Sequence, residues 1–150
     1  MPDIVTPRAL SDYLLVQFSE RGEILTNLKL QKLLYYTQAW YLALKHVPLF
    51  EEDFEAWIHG PVLPSQYRRF ADFKWRPITS EIEVPEIGDE EILGHIEEII
   101  EVFGPETAVG LEIMTHNERP WIEARGGIPA AEACNNIIDK QTMERYYAAL

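Results

Sequence analysis

A mainly α fold, a compact single-domain helical bundle with at most a small two-stranded β-ribbon, is what this sequence predicts. Three observations predict it. Apolar residues recur at three- and four-residue steps through much of the chain, the period of one helix face. Helix punctuation recurs as well, with starts at Thr6-Pro7, Asp89 and Asp139 and stops at Gly22 and Gly104-Pro105. One stretch, Thr26 to Phe70, holds four of the seven tyrosines and two of the four tryptophans, and the remainder is expected to pack around it. The 150 residues, 47% of them hydrophobic, suit a single domain over residues 1–150. A chain of that length buries about 70% of its unfolded surface.

The first helix starts with Thr6 as cap and Pro7 at its first position, and ends near Arg21-Gly22. Leu10, Leu14 and Phe18, with Tyr13 beside them, form its stripe. The second helix is capped by Thr26 or Asn27 and ends at Lys45-His46 before Pro48. Leu30, Leu33, Leu34, Thr37, Tyr41 and Leu44 make its inner face, and Lys29, Lys32 and Tyr36 lie on the other side. Trp40 and Leu28 widen the apolar arc, so this helix is expected to be touched on more than one side.

Phe54 to Ile58 mixes aromatic and β-branched residues, and Ile82-Glu83-Val84 alternates, so these two segments are the candidates for a ribbon. Gly60-Pro61 breaks the chain, and Pro64 opens a short helix carrying Tyr67 and Phe70. Residues 77–88 read as extended and acidic. Asp89 caps a helix whose stripe is Ile92, Ile96, Ile99, Ile100 and Phe103. Short helices over 107–115 and 117–125 follow, the latter anchored by Pro120-Trp121. A turn-rich connector at Gly126-Gly127 and Pro129 leads to a last helix with Met143, Tyr146, Tyr147 and Leu150.

Charge is unevenly placed. Residues 1–76 carry nine Lys/Arg against nine Asp/Glu, residues 77–118 carry twelve acids and no base, and residues 119–150 carry four of each. The whole net charge of −12 therefore falls in the middle block. That block disfavours nucleic acid and favours either plain solvation or a basic protein partner. No run of eighteen apolar residues suggests a membrane span, the start lacks a secretory signal, and the lone Cys134 has no internal disulfide partner. A cytoplasmic protein is expected.

Chemical motifs are sparse. The four histidines and one cysteine show no zinc spacing, and there is no phosphate-binding glycine loop or nucleophile elbow, so no cofactor is expected. His116, at a junction between helices, reads as a residue bonding the last carbonyls of the helix before it or interacting with that helix's negative end. An enzymatic alternative remains, a small hydrolase or transferase using His59, His116 or Glu118. The aromatic residues Tyr35, Tyr36, Trp40, Tyr41, Trp57, Tyr67, Phe70 and Phe73 crowd near Arg68 and Arg69. They read either as a ring-rich core or as a partly exposed interface. The interface reading makes Tyr36, Trp57, His59, Tyr67 and Arg68 candidate partner-binding residues, and the acidic block adds Glu97, Glu98 and Glu101.

Three motifs carry a resemblance: Leu-Thr-Asn-Leu-Lys-Leu-Gln-Lys-Leu-Leu-Tyr-Tyr (25–36), Ala-Trp-Ile-His-Gly-Pro-Val-Leu-Pro-Ser-Gln-Tyr (56–67) and Thr-His-Asn-Glu-Arg-Pro-Trp-Ile-Glu-Ala-Arg (115–125). In this order they resemble the SocA-like antitoxin family, also called the Panacea domain or GepA-like phage-associated proteins. Asn27 and His59 depart from residues common in the family, often Pro and an aromatic. The resemblance implies a cytoplasmic, non-enzymatic antitoxin that binds and neutralises a cognate protein toxin encoded next to it. It also implies a role as an adaptor delivering the toxin to a AAA+ protease. Many relatives carry an added DNA-binding domain, for which these 150 residues leave no room, so operator binding is not implied.

Overall fold

The computed structural model describes residues 2–150. Its elements are α1 (Pro7–Glu20), α2 (Asn27–Lys45), β1 (Glu55–Trp57), β2 (Gly60–Val62), α3 (Pro64–Arg69), a 3-10 turn (Ala71–Phe73), α4 (Glu90–Phe103), α5 (Ala108–His116), α6 (Arg119–Arg125) and α7 (Lys140–Ala148). The predicted mainly α class holds, and the caps explain why. Thr6, Thr26, Asp89, Thr107 and Asp139 each accept a backbone N–H of the helix they open, which satisfies donors that a helix start leaves unpaired.

Helix α2 is the axis. It packs against α1, α4, α5, α7 and the hairpin, and its buried residues run all round it over most of its length, as expected of a helix covered on more than one side. Here the amphipathic reading needs correction. Lys32 and Tyr36, placed on the far side by periodicity, are both 0% exposed, while Leu44, placed inside, is 61% exposed. The far side is covered by the β1–β2 hairpin, α5 and α7, so polarity no longer marks the outside.

The ribbon also differs from expectation. β1 pairs with β2, with Glu55 opposite Val62 and Trp57 opposite Gly60, and residues 82–84 form no strand. A two-residue connection through Ile58-His59 closes at lower entropic cost than one spanning twenty-odd residues. Gly60 takes φ +103°, a conformation only glycine adopts readily. The other edge of β1 is met by the 136–138 segment: Ala56 N–H donates to the Asn136 carbonyl and Ile138 N–H to the Phe54 carbonyl, both at 2.8 Å.

Two buried glutamines on α2 stand in for strand partners. Gln31 Oε1 accepts the Leu63 N–H at 2.9 Å. Gln38 accepts the Leu49 N–H at 2.7 Å and donates to the Phe50 carbonyl at 2.9 Å. Buried backbone polar groups require partners, and these amides supply them where the chain is irregular. Helix α4 is simpler: Ile92, Ile96, Ile99, Ile100 and Phe103 enter the core as its stripe predicts.

Candidate functional site

The three motifs converge on one buried hub. Lys32 lies wholly inside and donates from Nζ to the Pro61 carbonyl at 3.1 Å. The hairpin passes so close that a Cβ on Gly60 would sit 2.6 Å from Lys32 Cε and 2.8 Å from Thr115 Oγ1. Burial pushes the Lys32 ammonium down to about 7, and the nearby Glu112 charge opposes this.

Beside it, Glu118 gathers tyrosines from two helices. Tyr36 donates to Glu118 Oε1 at 2.7 Å and Tyr147 at 2.8 Å. The Tyr35 and Tyr147 hydroxyl oxygens are 3.0 Å apart. Each hydroxyl has one proton, so with that of Tyr147 on the carboxylate, Tyr35 donates to Tyr147. Burial raises Glu118, and the two tyrosine donors hold it back. No cation pairs with Glu118 among the described residues. The rings pack as well as bond, with Tyr36 stacked on Phe103 at 4.3 Å.

The third motif closes the hub from outside. Trp121 is held between His116, stacked at 4.0 Å, and the Arg125 guanidinium at 4.7 Å. Trp121 Nε1 donates to the Trp57 carbonyl at 2.9 Å. Arg125 is buried and donates to the Ala56 and Pro129 carbonyls, each at 2.8 Å, and to the Glu132 carbonyl. His116 is thus a stacking partner of Trp121 whose buried Nε2 has no hydrogen-bond partner among the described residues, and burial lowers its pKa. It stands in the last turn of α5, at the helix's negative end, but makes no hydrogen bond to the last carbonyls there.

Against the hairpin lies an open groove of about 740 Å³, mostly apolar, with Leu28, Trp57, Ile58, Val62, Tyr67 and Trp75 among its walls. Trp57 meets Tyr67 edge to face at 5.0 Å. Trp75 is 81% exposed and follows Lys74, a non-glycine residue at φ +56°. Such a backbone costs about 1–3 kcal/mol and persists where the surroundings enforce it. Cys134, on the connector after α6, also lines it.

The candidate residues therefore separate. Trp57, His59 and Tyr67 line this groove together, and Arg68 is exposed on α3 with no partner among the described residues. Tyr36 is spent inside the hub and offers no surface. On α4, Glu97 accepts from Tyr13 at 2.8 Å and pairs with Arg21 at 2.7 Å. That carboxylate and burial push Tyr13 up to about 12, burial being the larger cause. Glu98 and Glu101 are exposed and unpaired among the described residues. His59, His116 and Glu118 are engaged separately: His59 sits 3.2 Å from Glu112, while the other two belong to the contacts above. Sequence reasoning missed Trp75 as a wall of the groove. Its neighbours Lys74 and Arg76 were visible only as a basic cluster.

No group of three or more His, Cys, Asp or Glu side chains is placed to hold a metal among the described residues. No helix there is long and apolar enough to cross a membrane.

A hub of this composition, built from a buried lysine, a Gly-Pro hairpin and a Pro-Trp helix, defines a class of small helical domain. The chain belongs to the family described as Antitoxin SocA-like, Panacea domain, whose profile matches residues 30–122. Among curated proteins it is similar to "Antitoxin SocA" of Caulobacter vibrioides (strain NA1000 / CB15N), 41% identical over 70 residues. That stretch is 47% of this chain and 37% of the relative, so the chain aligns with well under half of the relative's length. No solved structure matches the chain.

Proposed function

We propose that this chain, as one domain, is the antitoxin of a toxin–antitoxin pair and binds and neutralises a cognate protein toxin. Membership of an antitoxin family supports the role. The observation that carries the binding reading is the groove of about 740 Å³ with its exposed Trp75. Aromatic side chains around a mostly apolar trough are the makings of an interface centre. Trp57, His59 and Tyr67 wall it, and Arg68, Lys74 and Arg76 lie on the same α3-to-turn segment. Delivery of the toxin to a AAA+ protease is the further form of this reading. It differs from occlusion in that toxin levels fall.

The test is a growth rescue with the toxin gene expressed alone, with this chain, and with its Trp75→Glu variant. The chain is expected to restore growth and co-purify with the toxin. Trp75→Glu, at an exposed site, is expected to keep the fold and lose both. An arrest unaffected by the chain would sink the antitoxin reading. Full protection by Trp75→Glu would instead move the contact off the groove. Immunoblotting of the toxin during rescue separates delivery from occlusion.

A further inference from the structure

We propose that the cleft between α2 and α4 seats a basic amphipathic helix of a partner protein, with an apolar side chain set between Leu44 and Val102 and lysine or arginine side chains over Glu98 and Glu101. The cleft measures about 330 Å³, and its walls include Trp40 and Leu44 from α2 and His95, Glu98, Ile99 and Val102 from α4. These residues recur one turn apart on each helix, so the cleft follows both helices lengthwise. A trough bounded by two helical ridges is the seat into which a third helix fits.

The apolar part is uncovered. Leu44 is 61% and Val102 58% exposed, and Trp40, also in the cleft wall, has a buried indole N–H with no acceptor. On α4 the rim is of one sign, and Lys45, beside Leu44 on α2, is paired with Glu91. Glu98 lies in the cleft wall, and Glu101, one turn on, shares its side of α4. Neither has an ion-pair partner among the described residues, whereas Glu91 is taken by Lys45 and Glu97 by Arg21. No lysine or arginine lies anywhere in residues 77–118.

Charge selects the occupant. A second copy docked by the same face would set Glu98 and Glu101 against their own counterparts, which costs free energy instead of gaining it. An anionic lipid surface or a phosphate backbone meets the same repulsion. A cationic helix with an apolar stripe satisfies both the cleft and its rim. This seat shares no wall residue with the groove beside the hairpin. It stands apart from the antitoxin reading, because the folded chain's peptide binding is measured with no toxin present.

The experiment titrates the full chain, observed by NMR, with a leucine–lysine amphipathic helical peptide of about 18 residues, and with a scrambled peptide of the same composition. The amphipathic peptide is expected to move the Trp40 indole and the Leu44 and Val102 methyl signals, and to bind about tenfold more tightly than the scrambled one. Glu98→Lys with Glu101→Lys is expected to lower that affinity by about tenfold or more. Val102→Asp should act likewise, and if it fails to fold, the exposed glutamate pair carries the test. Equal affinity for both peptides, unchanged affinity in the glutamate variant, or signals moving around Trp57 and Trp75 instead would each overturn the proposal. So would a dimer of the free chain that Val102→Asp converts to monomer.

Discussion

Helices α2 and α4 pack against each other and bury opposite things. α4 fully buries five apolar side chains and no polar one, its half-buried His95 reaching the Thr37 carbonyl at 2.9 Å. α2 buries Asn27, Gln31, Lys32, Thr37 and Gln38 among its leucines and tyrosines. An apolar stripe supplies adhesion that tolerates many partners of similar size. Buried polar groups are costly without matched partners and therefore specify what must lie against them. α2 thus dictates where the hairpin, the 49–50 segment and α3 go, while α4 fills the space that remains. The same division sets the surfaces: the hub is closed, and the outer edge of α4 keeps unpaired charge.

The comparison breaks most sharply at Gly60. Gly60→Ala forces a Cβ onto Lys32 Cε and Thr115 Oγ1 at φ +103°, combining overpacking with backbone strain. A loss of about 3–4 kcal/mol in urea unfolding is expected. A loss under about 1 kcal/mol would mean that the hairpin relaxes freely and that the hub is loose.

Titration sharpens it next. The unfolded chain keeps the Lys32 proton up to its ordinary value near 10.4, whereas the fold releases it above about 7. Within that window the unfolded state binds more protons, so stability rises with pH. Below it, the buried charge costs most. Lys32→Met is therefore expected to be least harmful, or stabilising, at pH 7. Its advantage over the parent should shrink by about 2–3 kcal/mol on going to about pH 9. Ile96→Ala on α4, run alongside, should show a loss with no such pH dependence. A flat difference for Lys32→Met would show that water reaches the ammonium.

The smallest effect separates charge from hydrogen bonding at Glu118. Glu118→Ala strands two buried tyrosine hydroxyls and is expected to cost about 2 kcal/mol, while Glu118→Gln, which keeps an acceptor oxygen, should cost less than about half of that. Equal losses would assign the role to the carboxylate charge.

Most of the helices were legible because their caps and stops are local chemistry. Asp89 with the isoleucine stripe of α4 is the clearest case, since one covered face leaves the period intact. On α2 the period misled. Lys32 and Tyr36 read as outward because a second covered face was not counted, although the wide apolar arc had already implied contact on more than one side. The ribbon's partner was misplaced because alternation at 82–84 outweighed a tight turn whose key residue, Gly60, was read as a break. For the candidate site, the residues at 57, 59 and 67 fall along one groove because the hairpin and α3 are consecutive in the chain. Glu118 reaching Tyr36 and Tyr147 joins residues 82 and 29 positions apart, and no local pattern encodes that.

Gln31, Gln38, Lys32 and Arg125 share a habit: each directs its hydrogen bonds, apart from the Gln31 link to Asn27, at main-chain atoms of the segment it holds. A main-chain anchor reads the path of a loop and ignores its side chains. Segment 129–132, exposed throughout, can therefore be rewritten in sequence while staying moored, whereas Leu49, Phe50 and Leu63 are also core side chains and keep their identity. The interior of this domain is in that sense a fixed socket board, and its exposed 129–132 loop is free to be re-lettered for a different partner without the board being rebuilt.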